Sequence, residues 1–120
     1  DDTNIASHGT TETTSGKLRL ITETADSGVM TSSTISLPYS PSACEVRYNG
    51  NDDCDLTTID ITFNSGTNYE TNILAGLKGN PGTIRTITNT GTSMIIKVNM
   101  RSNTQNPQPQ IDSLVVLIKK

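Results

Sequence analysis

The chain has 120 residues and a formal net charge of −3; 32 % of its residues are apolar, 18 % charged and only 3 % aromatic. That length suits one domain. With no Lys/Arg-rich stretch and few rings to stack on bases, nucleic-acid binding is not expected, and no apolar run approaches the roughly 20 residues of a membrane-spanning helix.

Twenty Thr and 12 Ser, punctuated by nine Gly and five Pro, make an all-β composition. Threonine's branched Cβ packs well on a pleated surface and favours extended backbone. There is one Phe, Phe63, and no Trp, so the core has to be built mostly from Ile, Leu, Val and Met. The expected fold is an antiparallel β-sandwich, jelly-roll or immunoglobulin-like, with about 7–8 strands and one disulfide.

Residues 1–16 carry only Ile5 and Ala6 as apolar side chains. Such a stretch cannot form a core of its own. It is expected to be a polar extended arm that docks on a neighbouring subunit, ahead of a single β-sandwich domain over 17–120. His8, the one histidine, lies in this arm with nothing to join it as a metal ligand. Asp1 is a candidate first residue after signal-peptide cleavage.

In residues 17–24 the start alternates, Leu18 and Leu20 against Lys17 and Arg19, and predicts a strand. Asp26-Ser27-Gly28 reads as a turn. Residues 31–37 predict a second strand with Ile35 and Leu37 inward, stopped by Pro38 and Pro41, which cannot donate to a ladder. Tyr39 between them is expected to be half buried with a wet hydroxyl. Residues 44–49 alternate again, with Cys44, Val46 and Tyr48 on one face and Glu45 and Arg47 on the other.

Asn49-Gly50-Asn51-Asp52-Asp53 is the densest turn signal, and it predicts a hairpin between this strand and the next, over 56–63, where Ile59, Ile61 and Phe63 point inward. Asn64-Ser65-Gly66-Thr67 turns the chain. Residues 69–77 read as a strand, although one helical turn also fits. After the turn Gly79-Asn80-Pro81-Gly82, residues 83–88 predict a strand showing Ile84 and Ile87. Beyond Asn89-Thr90-Gly91, residues 94–100 alternate cleanly, Met94, Ile96, Val98 and Met100 inward. Residues 102–110 are a polar loop. Residues 114–118 read Leu-Val-Val-Leu-Ile, a run expected to be a central strand covered on both faces. Ile61, Phe63, Ile96, Val98 and Val116 are expected to share one core.

Residues 81–83 and 93–98, Pro-Gly-Thr and Ser-Met-Ile-Ile-Lys-Val, resemble with the terminal strand the end of extracellular CUB-type β-sandwich modules. The likeness covers about a third of the chain. It implies a secreted binding module. The two-disulfide pattern and aromatic-rich core of such modules are missing here.

Cys44 and Cys54 flank the densest turn, and a disulfide between them is expected to staple the hairpin mouth, which requires a loop with an odd number of residues. Closing so short a loop stabilises by about 2–3 kcal/mol. Two nearby cysteines in a Ser/Thr/Asn-rich, weakly charged β-protein point to a secreted or cell-surface location. Asp52, Asp53 and Asp55 offer oxygens to calcium, but at spacings that match no EF-hand loop; a solvated acidic tip is the simpler reading, and no metal or other cofactor is expected. No base stands beside a nucleophile, and Glu12, Glu23, Glu45 and Glu70 are scattered, so no catalytic residue is assigned and no enzyme is expected. Two functions remain. The first is a non-enzymatic structural subunit of an extracellular assembly, a pilus or other surface filament, whose partners are other subunits in a homo- or hetero-polymer. The alternative is a secreted adhesive or ligand-binding sandwich, CUB-like or lectin-like, though the chain has few rings for a sugar platform: Tyr39, Tyr48, Tyr69 and Phe63.

Overall fold

A computed structural model describes residues 5–8, 11–14, 17–20, 27–50, 57–73, 84–101 and 110–120. Among them the chain is all strand, turn and bend, with no helix. Two sheets form, and every strand-to-strand ladder in them is antiparallel. Sheet one runs, from edge to edge, β1 (Ile5–His8), β4 (Ser27–Ser32), β10 (Ser93–Arg101), β7 (Thr58–Thr62) and β8 (Glu70–Ile73), with β5 (Ile35–Ser36) also paired to β10. Sheet two runs β2 (Thr11–Thr14), β3 (Lys17–Leu20), β11 (Gln110–Lys119), β6 (Ala43–Gly50) and β9 (Arg85–Thr86).

β10 and β7 set the middle of sheet one. Their register places Val98 opposite Ile59 and Ile96 opposite Ile61, while Val98 faces Met30 of β4 on the other side. Apolar residues directly opposite one another are the stabilising unit of a sheet. Alternation then sends one face of each strand inward. Met94, Ile96, Val98 and Met100 of β10, and Ile59 and Ile61 of β7 with Phe63 just after it, are buried together with Cys44, Val46 and Tyr48 of β6 and Ile111 of β11. Both sheets therefore feed one core. Four of the five residues expected to share it lie fully inside, and Val116 packs against it, partly buried.

The turn after Phe63 is built as its sequence predicts. Ser65 and Gly66 take positive φ, 59° and 90°, and Thr67 N–H returns to the Asn64 carbonyl at 3.3 Å. Thr62 Oγ1 caps it by accepting from Gly66 N–H at 3.0 Å and donating to Asn64 Oδ1 at 2.9 Å. On the same side the main chain of Gly91 lies against Phe63. A Cβ at position 91 would sit 2.4 Å from the Phe63 carbonyl oxygen, so only glycine fits.

Several expectations are corrected. Ser27 and Gly28 do not turn but open β4. Residues 31–37 do not form one strand: β4 ends at Ser32, and β5 takes its place beside β10 two residues later, pairing Ile35 with Met94. The buried Ser32 bridges the gap, its Oγ accepting from Ile96 N–H at 2.8 Å and donating to the Ser33 carbonyl at 2.9 Å. A hydroxyl there supplies the acceptor that the interrupted ladder lacks. β6 and β7 are not a hairpin, since they lie in different sheets, and β6 stays extended through Gly50. Of residues 1–16, those described are extended, but they pair within the chain: β1 lies along β4 and β2 along β3. The described parts of the arm are thus paired within the chain's own sheets.

Candidate interaction surface

The two sheets present different outer faces. On sheet one the outward positions of β7 and β10 are polar apart from Ile95, and several engage one another. Asn99 Nδ2 donates to Asp60 Oδ2 at 3.0 Å and to Thr58 Oγ1 at 3.3 Å, and the Lys97 ammonium stands 5.7 Å above the centre of the Tyr69 ring. Sheet two differs because β11 carries its apolar residues in an unbroken run. Alternation turns Leu114, Val116 and Ile118 toward the core, where they are partly buried, and leaves Val115 and Leu117 outside, 50 % and 41 % exposed. The expectation of a strand covered on both faces is therefore corrected: no described element lies over the outer face of β11.

The ladder fixes the neighbours of these two side chains. Leu117 faces Glu45, Val115 faces Arg47 and Ser113 faces Asn49 across the β11–β6 pair. Arg47 Nε and Glu45 Oε2 meet at 3.0 Å, an ion pair along β6; at an exposed site such a pair contributes little to stability, but it keeps both charges beside the apolar row. Ile84, just before β9, is 69 % exposed and shares with Leu117 a shallow depression also lined by Ala43, Glu45 and Lys119. A second depression, lined by Arg47, Asn49 and Ser113, opens between Leu117 and Val115. The result is an apolar strip with a charged pair alongside it.

Among the described residues, the others singled out in the sequence do not gather into a site. Among the described residues no three of His, Cys, Asp and Glu cluster in a way that would hold a metal. Asp52, Asp53, Asp55 and Cys54 lie outside the described residues, and so does the turn at 79–82. His8 is on β1 at one edge of sheet one, and Glu12 is on β2 at the edge of sheet two. Glu45 joins the strip just described. Among the described residues no helix is long and apolar enough to cross a membrane.

Cys44 is a free thiol in the core, 2 % exposed. Burial, reinforced by the negative charge of Glu70 and opposed by Arg85, pushes its pKa up to about 11. The thiolate is the reactive form, so the native protein should leave Cys44 unlabelled by iodoacetamide at about pH 8, while denaturant without reductant should expose it to full labelling. Peptide mass mapping reads the outcome. A Cys44 that resists labelling even when unfolded would be oxidised, and the bridge expected from the sequence would stand.

Glu70 was not singled out by its sequence context, and the structure gives it a role. Its buried carboxylate accepts from Thr88 N–H at Oε1, 3.0 Å, and from Asn89 N–H at Oε2, 3.2 Å. It ties the corner after β9, which belongs to sheet two, to β8 of sheet one. Beside it Arg85 Nη1 donates to the Thr71 carbonyl of β8. These contacts join the sheets.

Compared with protein-family models, with curated proteins and with solved structures, the chain matches none.

Proposed function

We propose that the chain is a non-enzymatic structural subunit of an extracellular assembly, a pilus or other surface filament, folded as a β-sandwich of the jelly-roll or immunoglobulin-like kind. One observation carries this reading: Val115, Leu117 and Ile84 point into solvent from a protein whose other described outward positions are largely polar. Isolated exposed apolar residues need no explanation, but a contiguous strip with charges alongside is the pattern of a contact surface. The partners are other protein subunits. The extracellular location rests on the Ser/Thr/Asn-rich, weakly charged composition. A sugar-reading module is less well supported. Phe63 and Tyr48 are buried, Lys97 lies over Tyr69, and the Lys120 ammonium stands 5.9 Å from the centre of the Tyr39 ring, which leaves no open aromatic platform among the described residues.

Electron microscopy of the purified chain at neutral pH should show ordered polymers, alone or on addition of its companion subunits. Val115→Lys combined with Leu117→Lys should abolish them while the far-ultraviolet circular dichroism stays that of a β-protein. Separate compact particles from the wild type under all these conditions would remove the reading.

A further inference from the structure

β11 is a ten-residue strand with one neighbour along most of its length. β6 pairs it over residues 111–119, but on the other side β3 reaches only Gln110 and Ile111. From Leu114 to Ile118 the second edge carries no strand among the described residues. The hydrogen bonds at the end of the strand show which main-chain groups face outward. The Lys119 carbonyl accepts from Ser42 N–H, on the β6 side, at 2.7 Å. The Ile118 carbonyl points the other way and meets only the Tyr39 hydroxyl, at a long 3.4 Å. Successive residues of a strand alternate in this direction, so Leu114, Val116 and Ile118 present their N–H and C=O groups to the open edge. Within the strand itself the usual protections are absent: there is no proline and no charge within 114–118, and the one irregularity of the ladder falls earlier, between residues 111 and 113.

We propose that this edge pairs with the same edge of a second copy of the chain, antiparallel, with a twofold axis at Val116. The sequence is self-complementary about that point. Leu114 then faces Ile118 of the second copy and Val116 faces Val116, all of them residues whose amides look outward, so every free N–H finds a carbonyl. On the outer face Val115 meets Leu117, and the exposed apolar strip becomes continuous across the two copies. Just beyond the apolar run, Ser113 comes opposite Lys119 and Asp112 opposite Lys120, both of these charged residues exposed. Asp112 already takes a long 3.4 Å bond from Gln110 Nε2, and a carboxylate has acceptor capacity for a lysine as well. Opposite charges directly across a ladder stabilise it and like charges oppose it. The register that pairs the apolar residues is thus the one that pairs the charges. The Tyr39 hydroxyl shares the Ile118 carbonyl or swings aside, since a carbonyl oxygen accepts two bonds.

A twofold contact closes on itself and makes a dimer, not a filament, so this inference goes beyond the assembly reading and stands or falls apart from it. Sedimentation equilibrium of the full chain at low salt should find a dimer. Asp112→Lys and Lys120→Asp, each placing like charges at both ends of the contact, should weaken it about tenfold, and the double exchange should restore it to within about threefold of the wild type. Val116→Pro removes an outward N–H without touching the β6 ladder and should leave a folded monomer; if that variant does not fold, the charge exchange alone decides. A wild type that is monomeric at 100 µM (taken as a practical upper limit for a specific contact), or a double exchange no better than the singles, would overturn the proposal. Polymers from a wild type that shows no dimer would remove the edge pairing and leave the structural-subunit reading intact. Dimers with no polymers would do the reverse.

Discussion

Replacing Phe63 by alanine is expected to lower the free energy of unfolding by about 3–5 kcal/mol. The side chain is wholly buried, the largest of the fully buried side chains among the described residues. The size of the loss depends on whether the surroundings can close over the vacancy, and here they are held back. The Phe63 carbonyl accepts from Ser93 N–H at 3.2 Å, Ser65 N–H returns to the Ser93 carbonyl at 3.1 Å, and Gly91 is packed against the same peptide. A backbone clamped on that side cannot move inward, so a cavity remains. Urea titration should show a lower midpoint with an unchanged slope. A loss under about 1 kcal/mol would put Phe63 outside the core and shift the β7 register by one residue.

Glu70→Ala should cost about 2–4 kcal/mol, because it leaves the Thr88 and Asn89 amides without their acceptor in a partly buried corner. Glu70→Gln keeps one acceptor oxygen and should lose roughly half as much. The defect is local, so amide exchange at residues 88 and 89 should quicken far more than in β10. Equal acceleration in both places would mean that Glu70 matters only to global stability and does not hold the corner.

The clean alternations were legible. In β7 and β10 apolar residues recur at every second position, and the structure buries each member of these two alternating sets, with Ile95 alone falling outside them. β6 was equally plain, with Cys44, Val46 and Tyr48 inward. Three features were not legible, each for a physical reason. A run of five apolar residues reads the same whether a strand is covered on one face or two, and only the number of elements available to cover it decides; here no described element covers Val115 and Leu117. The break at Ser32 depends on its hydroxyl meeting an amide from residue 96, a partner that local pattern cannot supply. The hairpin expected after β6 followed from turn-forming residues at 49–53, but pairing of β6 with β11 won over pairing with its neighbour in sequence. Residues 113–119 offer a longer and more apolar ladder to β6 than any hairpin return. The role of Glu70 was not legible because a glutamate in a polar segment carries no sign of the two distant amides it serves.

The same β6–β11 pairing governs when the protein can begin to fold. The strand at the centre of sheet two is also the last of the described strands in the sequence, and its partners are residues 18–19 and 43–50. Until residues 110–119 have left the ribosome, the inward side chains of β6 have no ladder to hold them in place. Closing contacts between such remote parts of a chain is slow, on the order of milliseconds to seconds for all-β domains. During that interval an unpaired apolar strand is open to the wrong partner.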